Sequence, residues 1–471
     1  MDRRQFLASA AAYAVSAAAT AQTVAPQTAQ ATLRTSPGAL PVMPADFMGL
    51  SYESAQLTNP EYFSAKNTDL VGKFRALSTS GVLRLGGHLS NESIWDGVLP
   101  SPAEQKQMDN SKSAYEWLTV DSVGGKDRQG VITQAAIRNL RAFLDATGWK
   151  LLYGLNPLTG STERVAAEAA YVQATIGPRL IAFQIGNEPD RFHAPGSKDF
   201  NTFDEYWEKY EAYVKAIRAR TPQARFAGPD TTRRGTDWEL AYAAHAKGDT
   251  VLITSHYYDV GTVETLDADT KRLLAPDKKL FEVDIPTALQ AAAIAGVPYR
   301  MSEGNSCPHG GEDNLSNAYA SALWSADYLL LTAQAGFSGI NLHGGGIGRY
   351  SPIVGEVASG FTDRPVYYGM LLASKFAGYR FVKATLDAGS ANATAYVGSN
   401  PNGSTLLAVL NKDALPLNLS LQTPLGKPRK AWALTGQQLN SKDGTQFSEI
   451  APPKGPLTVP AYSALLVEFS A

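Results

Sequence analysis

Short apolar segments alternate with longer amphipathic segments along most of the chain. Eight of the short segments have the length and apolar content of buried strands. Helical periodicity marks the stretches between most of them, at about 137–147, 161–176, 203–220, 285–295 and 318–335. The predicted strands are 47–52, 82–86, 150–155, 180–186, 225–228, 251–257, 298–302 and 339–342. This alternation predicts an α/β fold, either a (β/α)₈ barrel or a doubly wound parallel sheet.

The ends of the predicted strands distinguish these two architectures. Nearly every strand finishes in polar residues, and a barrel places all eight strand ends around one mouth, where barrel enzymes have their active sites. A doubly wound sheet would concentrate them at one switch point, normally beside a Gly-rich phosphate loop. No such loop follows the first strand, so we predict a TIM barrel. The polar strand-end residues are Glu53, His88, Asn156, Asn187, Glu188, Asp230, His256, Tyr258, Glu303 and His343.

The pattern changes near residue 381 to short alternating runs separated by Gly, Pro, Asn and Ser. These runs predict a small antiparallel β-domain, most simply a sandwich. Because 471 residues exceed what one core usually organises, we expect a catalytic barrel over 45–378 and a β-sandwich domain over 379–471. The Thr-, Ala- and Pro-rich segment 22–44 is expected to be extended and to pack with the β-domain.

The first 21 residues have the order of an export signal. Arg3 and Arg4 precede an apolar run over about 7–19, and small residues then offer a cleavage site. The run is too short for a permanent membrane anchor. Twin-arginine export carries folded proteins, which suits a chain whose single cysteine, Cys307, excludes an intrachain disulfide. We therefore expect a signal peptide over 1–21, a periplasmic or secreted bacterial protein, and no membrane association after its removal.

Composition excludes several other classes of function. The 42 basic and 44 acidic residues nearly balance, which argues against broad nucleic-acid binding. The six histidines show no metal-ligand spacing, so we expect neither a metal nor a cofactor. Cys307 has His309 two residues on, but no thiol-protease signature surrounds the pair. We interpret Cys307 as a structural residue.

Two glutamates carry the candidate chemistry. Glu188 follows Asn187 at the end of the fourth predicted strand, and Glu303 ends the seventh, so both would lie at the barrel mouth on roughly opposite sides. Two such carboxylates can flank a glycosidic bond, one protonating the leaving oxygen while the other attacks the sugar or activates water. A rim ion pair with arginine could explain either glutamate alone, but two at the ends of buried strands favour catalysis.

The sequence around these glutamates resembles clan A of the glycoside hydrolases, and within it family 79, the β-glucuronidase and heparanase family. The resemblance extends from about residue 47 into the C-terminal β-domain. It implies a retaining reaction, with Glu188 as the general acid and then base, and Glu303 as the nucleophile of a covalent glycosyl-enzyme. The segments that carry it are VLRLGGH at 82–88, GNEP at 186–189, TSHYY at 254–258 and EGNSCPHGG at 303–311.

The resemblance also implies which residues surround the sugar. Asn187 would hold the 2-hydroxyl, a contact that strengthens as the oxocarbenium ion develops. Tyr258 would orient Glu303, and His256 has the same strand parity as Tyr258, so both can face the mouth. The other implied sugar-binding residues are Glu53, His88 and His343.

A glucuronate carboxylate requires further donors. The resemblance implies that the backbone N–H groups of Gly310 and Gly311 bind it together with the Tyr350 hydroxyl, since glycines let backbone donors approach an anion closely. Arg349 is the alternative anion ligand.

The sequence therefore predicts a retaining exo-β-glucuronidase that acts on a glucuronide or a glucuronate-containing glycan. Another clan A β-glycosidase, such as a β-glucosidase or β-xylosidase, would keep both glutamates. A long polyanion would favour a basic cleft, and the chain has no obvious basic run, which favours exo action over an endo-acting, heparanase-like reaction. A non-catalytic carbohydrate-binding barrel would not need a nucleophile. The oligomeric state stays open.

Overall fold

The computed structural model describes residues 28–98, 100–102, 106, 131–191, 202–261, 269–345 and 348–470, and the expected signal peptide lies outside them. The strands are β1 (Ala29–Val42), β2 (Met48–Glu53), β3 (Val82–Gly86), β4 (Ile94–Trp95), β5 (Val131–Ile132), β6 (Lys150–Leu155), β7 (Leu180–Ile185), β8 (Phe226–Thr231), β9 (Thr250–Tyr258), β10 (Tyr299–Asn305), β11 (Ile340–Gly344), β12 (Ile353–Glu356), β13 (Gly360–Asp363), β14 (Arg380–Asp387), β15 (Ala393–Ser399), β16 (Thr405–Asn411), β17 (Leu417–Leu421), β18 (Lys427–Thr435), β19 (Gln446–Ile450), β20 (Leu457–Val459) and β21 (Ser463–Ser470). The α-helices are α1 (Thr68–Leu77), α2 (Gln134–Thr147), α3 (Thr162–Ile176), α4 (Phe203–Arg220), α5 (Thr236–His245), α6 (Thr270–Leu274), α7 (Ile285–Ala295), α8 (Tyr319–Ala335) and α9 (Pro365–Ser374).

Eight parallel strands close into a barrel, as predicted. Their order around it is β10-β11-β2-β3-β6-β7-β8-β9, so sequential strands are neighbours. Each corresponds to one predicted strand, but β8 and β10 run about three residues further than their apolar segments. Their polar ends continue to pair with β9. Backbone pairing with β9 therefore extends β8 and β10, with the polar side chains at their ends, to the barrel mouth.

The outer helices begin and end at ordinary capping residues. Thr133 accepts a hydrogen bond from the backbone N–H of Ala136 at the start of α2, and Gly148 ends the helix at φ +83°. Thr202 and Glu205 form a reciprocal capping box at the start of α4. Such caps satisfy the backbone groups that a helix end leaves without partners.

The C-terminal region forms one curled nine-stranded sheet, so the predicted sandwich is found only in part. The strand order is β19-β18-β21-β16-β15-β14-β1-β17-β20. β1, from the segment expected to be extended, pairs antiparallel with β14 and parallel with β17. It thereby joins the two halves into one sheet, and strand twist allows such a sheet to curl over its own apolar face.

Alternate residues of β16 face two different cores. Leu406 and Leu410 belong to the large core shared with the barrel, whereas Leu407 and Val409 belong to the core enclosed by the sheet. This is the period of two expected for a strand buried on both faces. The sheet is therefore attached to the barrel through an apolar interface.

A buried polar cluster also joins the barrel to the sheet. The carboxylate of Asp327, on α8, accepts hydrogen bonds from Lys412 Nζ at 2.5 Å, Tyr396 at 2.6 Å and Thr394 at 2.7 Å. Burial alone would raise the pKa of Asp327, but Lys412 and the two hydroxyls lower it below its usual value.

We expect Asp327→Ala to destabilise the protein by about 3 kcal/mol, because it leaves the buried Lys412 ammonium without its partner. The stabilisation from Asp327 is complete above the unfolded pKa of about 3.9 and is lost as the pH falls through the lower folded pKa. Urea unfolding at pH 7 measures the loss, with the exposed Asp443→Ala as the control. Equal unfolding midpoints for the two variants would contradict this role.

The interpretation of Cys307 as a structural residue can be compared with the structure. Cys307 is fully buried, and burial raises the pKa of its thiol to about 11, so the thiol stays protonated at neutral pH, as its structural interpretation requires. Among the described residues, the helices include none that is long and apolar enough to cross a membrane.

Candidate active site

Glu188 and Glu303 meet at the barrel mouth. One carboxylate oxygen of each lies within 4.8 Å of the other, and the two residues are only 7% and 5% exposed. Glu303 is near the end of β10, and Glu188 follows the end of β7 with a φ of +50°. A positive φ is unfavourable for a glutamate, and such strain is characteristic of functional sites. The Glu188 N–H donates to the Asp230 carbonyl at 2.9 Å, which fixes this conformation.

Glu303 is held as an ionised carboxylate. Tyr258 donates its hydroxyl to Oε1 at 2.8 Å, and Arg84 donates to Oε2 at 2.5 Å. The imidazoles of His343 and His256 lie 3.5 and 3.7 Å from the carboxylate oxygens. Burial alone would raise the pKa of Glu303, but these two imidazoles, the guanidinium and the phenol hold it well below its usual value. An ionised carboxylate is the form that can act as a nucleophile.

Arg84, which the sequence analysis did not select, lies at the centre of the site. It comes from the middle of β3 and is completely buried. A Cβ at Gly86 would lie 2.4 Å from the guanidinium carbon, so only glycine fits there. The sequence offered one signal for its role, an arginine inside an apolar strand. A buried charge requires partners, so such an arginine indicates acidic or polar residues nearby. Its acceptors are Glu303, Asp230, Asn187 at 2.7 Å, Ser51 at 3.1 Å and Gln184 at 3.1 Å.

Asp230 is a second residue that the sequence indicated only as a polar strand end. It is 1% exposed and accepts hydrogen bonds from Arg84, Ser302 and Gln184. Its Oδ2 also lies 3.3 Å from Nε2 of His256. Burial would raise the pKa of Asp230, but Arg84 and His256 lower it to about 2. It therefore stays ionised and fixes the orientation of the His256 ring.

His256 and Glu188 form a proton-sharing pair. His256 Nδ1 lies 3.0 Å from Glu188 Oε1. Burial would lower the pKa of His256, but the carboxylates of Glu303 and Asp230 and the hydrogen bonds to Asp230 and Glu188 raise it to about 10. Burial would raise the pKa of Glu188, but His256 lowers it. At neutral pH the pair holds one proton, on His256.

This protonation state also bears on metal binding. Glu188, His256 and Glu303 are close enough together to suggest a three-ligand metal site. A protonated imidazole has a hydrogen on both nitrogens, however, and offers no lone pair to a metal. Binding a metal here would therefore require the loss of the proton from His256.

Asn187 presents an amide donor that is not paired within the described part of the chain. Its Oδ1 accepts from Arg84, and its backbone N–H donates to Asn91 Oδ1 at 3.1 Å. Its buried Nδ2 has no hydrogen-bond partner among the described residues. An unpaired buried donor is costly, so a ligand hydroxyl at this point would be stabilising.

Three other residues were predicted to bind the sugar, and they lie close together: Glu53, His88 and His343. Glu53 accepts hydrogen bonds from the backbone N–H groups of His88 and Leu89 at 3.3 and 2.9 Å. His343 Nε2 lies 3.7 Å from Glu53, and His88 Nδ1 lies 4.0 Å from Glu188. The structure thus brings all three to the same rim.

Gly310, Gly311 and Tyr350, which the sequence analysis expects to bind a carboxylate, also lie at this rim. Gly310 and Gly311 have φ values of +86° and +88°. The N–H of Gly311 donates to the Pro308 carbonyl at 3.1 Å, within its own turn. The Gly310 backbone and Tyr258 both hydrogen-bond with Tyr350. Arg349 contacts the Gly311 carbonyl at 3.4 Å.

Sequence comparison finds distant relatives that are named β-glucuronidase or heparanase. The chain is 25% identical over 348 residues to a β-glucuronidase of Neurospora crassa, an alignment that covers 68% of this chain and 60% of that protein. It is 22% identical over 380 residues to heparanase of Gallus gallus, covering 74% and 71% of the two chains. No family model matches the chain.

Structural comparison agrees on the fold. A 4-O-α-L-rhamnosyl-β-D-glucuronidase from Fusarium oxysporum superposes with a TM-score of 0.68 and 17% identity, covering 93% of this chain and 99% of that one. An α-L-arabinofuranosidase from Thermotoga maritima gives 0.67 and 15%, covering 94% and 100%. At these identities the likeness shows a shared fold. The chain is thus a distant relative of proteins named β-glucuronidase and heparanase.

Proposed function

We propose that the protein is a retaining exo-β-glucuronidase that removes terminal β-linked glucuronate through a covalent glycosyl-enzyme. The supporting observation is the approach of the two carboxylates to within 4.8 Å between oxygens. Retaining glycosidases keep their carboxyl groups about 5–5.5 Å apart, whereas inverting enzymes need about 6.5–9.5 Å to admit a water molecule between them and the sugar. The spacing therefore favours direct attack by Glu303.

The first step needs Glu303 as a carboxylate and a proton on Glu188, and His256 supplies that proton from Nδ1 across 3.0 Å. A carboxylate oxygen of Glu303 forms a bond to the anomeric carbon while the bond from that carbon to the leaving oxygen breaks. The leaving oxygen takes this proton from Glu188, which leaves Glu188 as a carboxylate and His256 as a neutral imidazole. The Asn187 amide donates to the 2-hydroxyl as charge develops on the ring.

The second step reverses these roles. Glu188, now a carboxylate, takes a proton from a water molecule, and the water oxygen attacks the anomeric carbon. The ester bond to Glu303 breaks, and Arg84 and Tyr258 again donate hydrogen bonds to the free carboxylate. Two displacements at one carbon restore the β configuration.

The choice of glucuronate is supported by the relatives and by the rim. The Neurospora crassa relative is named a β-glucuronidase. At the rim, Tyr350 hydrogen-bonds with the Gly310 backbone and with Tyr258, and Tyr258 donates in turn to the nucleophile Glu303. Exo action is supported by the absence of a basic run in the sequence. The relative named heparanase makes an endo-acting hydrolase the second candidate.

Paired assays test the substrate. We expect kcat/KM on 4-nitrophenyl β-glucuronide to exceed that on the β-glucoside by about 100-fold, since charge-assisted hydrogen bonds to the carboxylate are worth about 1.5–3 kcal/mol each. Proton NMR should show the β-anomer of glucuronate as the first product. Comparable rates on both substrates would exclude the glucuronate assignment, and an initial α-anomer would exclude the retaining mechanism.

We expect Tyr258→Phe to lower kcat by about 10–100-fold, because it removes one hydrogen bond to the charged Glu303. That hydrogen bond lowers the pKa of Glu303, so its loss should move the acidic limb of the kcat/KM profile to higher pH. The partly buried Tyr368→Phe, on α9, is the control. An unchanged acidic limb would show that the hydroxyl does not act on the nucleophile.

A further inference from the structure

We propose that a second cavity, between the barrel and the C-terminal sheet, binds a small amine with an apolar body. The cavity has a volume of about 300 Å³, near the lower end for small-molecule sites. Its walls come from both parts of the fold. Leu273 and Leu274 of α6, Trp324 and Tyr328 of α8 and Leu386 of β14 all line it.

The cavity lies behind the active site, on the other face of β9. His256 and Tyr258 project into the mouth, where each contacts a catalytic glutamate. Tyr257 and Asp259 alternate with them, and both line the second cavity. Because successive strand residues point to opposite sides, a ligand here would not touch Glu188 or Glu303.

Two lining residues carry polar atoms that no described residue pairs with. Asp259 is 6% exposed, and its Oδ2 accepts a hydrogen bond from Trp324 Nε1 at 2.7 Å. Its Oδ1 has no partner within the described part of the chain, and neither has the hydroxyl of Tyr328, which is 3% exposed. Buried polar atoms nearly always have a partner, so both are open to a ligand.

The charges around the cavity favour a cation. Asp277 is paired with Arg233, and Asp327 is paired with Lys412 at 2.5 Å. Asp259 forms no ion pair with any described residue within 4.0 Å. Burial and the nearby carboxylate of Asp277 raise its pKa to about 7, although Trp324, Arg272 and Arg233 oppose this.

A protonated primary amine satisfies both open atoms. It has three N–H donors, enough for Asp259 Oδ1 and the Tyr328 oxygen, and its positive charge is the counter-ion that Asp259 lacks. The leucines suit an alkyl or aryl body. A neutral alcohol of the same shape could donate only one hydrogen and would leave the carboxylate uncompensated.

Isothermal titration calorimetry with 2-phenylethylamine and 2-phenylethanol tests the site. At pH 8, above the pKa of about 7, Asp259 is mostly ionised and the amine is protonated. We expect the amine to bind at least about tenfold more tightly than the alcohol, as a charge-assisted contact should give. Asp259→Asn should abolish this preference, whereas the exposed Asp443→Asn should keep it.

A second pair of variants locates the binding. Leu274→Trp fills the cavity without removing Asp259 and should abolish amine binding. This variant therefore tests the site even where Asp259→Asn fails to fold. Glu303→Gln removes the competing negative charge at the active site and should leave amine binding unchanged. Equal affinity for amine and alcohol, no binding of either, or loss of binding in Glu303→Gln would each overturn the proposal.

Discussion

Glu303→Gln is expected to lower kcat on 4-nitrophenyl β-glucuronide by about five orders of magnitude or more, in line with the loss of a catalytic nucleophile in other enzymes. Glutamine keeps the shape of the side chain, and its one carbonyl oxygen can still accept a hydrogen bond from Tyr258 or from Arg84. It cannot form the glycosyl ester, because an amide is a poor nucleophile. The loss should therefore appear in kcat with an unchanged circular dichroism spectrum.

The exposed Glu211→Gln, on α4, is the matched control and should retain full activity. Azide supplies a second readout for Glu303→Gly, because the small anion can occupy the space of the missing carboxylate. We expect azide to restore turnover and to give an α-linked glycosyl azide, the product of a single displacement. Substantial hydrolysis by Glu303→Gln would show that another group forms the bond to the sugar.

Arg84→Met is expected to destabilise the fold by about 3–5 kcal/mol and to abolish activity. The substitution leaves the carboxylates of Asp230 and Glu303 buried without their cation, and breaking a buried ion pair costs about this much. Asp230 stabilises the wild-type protein fully above the unfolded pKa of about 3.9, and this contribution is lost as the pH falls through about 2. Without Arg84 the folded pKa rises, so acid unfolding should change as well.

Denaturant unfolding and acid titration of Arg84→Met measure both effects. Arg84→Lys separates charge from geometry, because lysine keeps the cation but lacks the planar fork that reaches several acceptors. We expect Arg84→Lys to recover part of the stability and little of kcat. Exposed Arg138→Met, on α2, is the control. Wild-type stability in Arg84→Met would show that the ion cluster contributes nothing net to folding.

The two glutamates and the barrel were predictable because local sequence determines them. The eight strands follow from apolar segments separated by helical periodicity, and parallel strands in a barrel bring their carboxyl ends together whatever the details of packing. The placement of Glu188 and Glu303 at one mouth follows from strand position alone. The resemblance to family 79 supplied their roles, which remain predictions.

The curled sheet was less predictable because strand pairing is non-local. The alternating runs after residue 380 identify strands, but they do not say which strands pair. β1 pairs with β14 and β17, across more than 330 residues of sequence, and this pairing joins two sheets into one.

By itself, the sequence determined the order of strands and helices, the polar ends of the strands and the positions of the two carboxylates. Only the tertiary structure decided their protonation. Arg84 and Asp230 come from β3 and β8, and the proton on His256 depends on three carboxylates from different strands. Electrostatic energies depend on distance and burial in three dimensions, so the charge state of the two glutamates and His256 is a property of the assembled barrel.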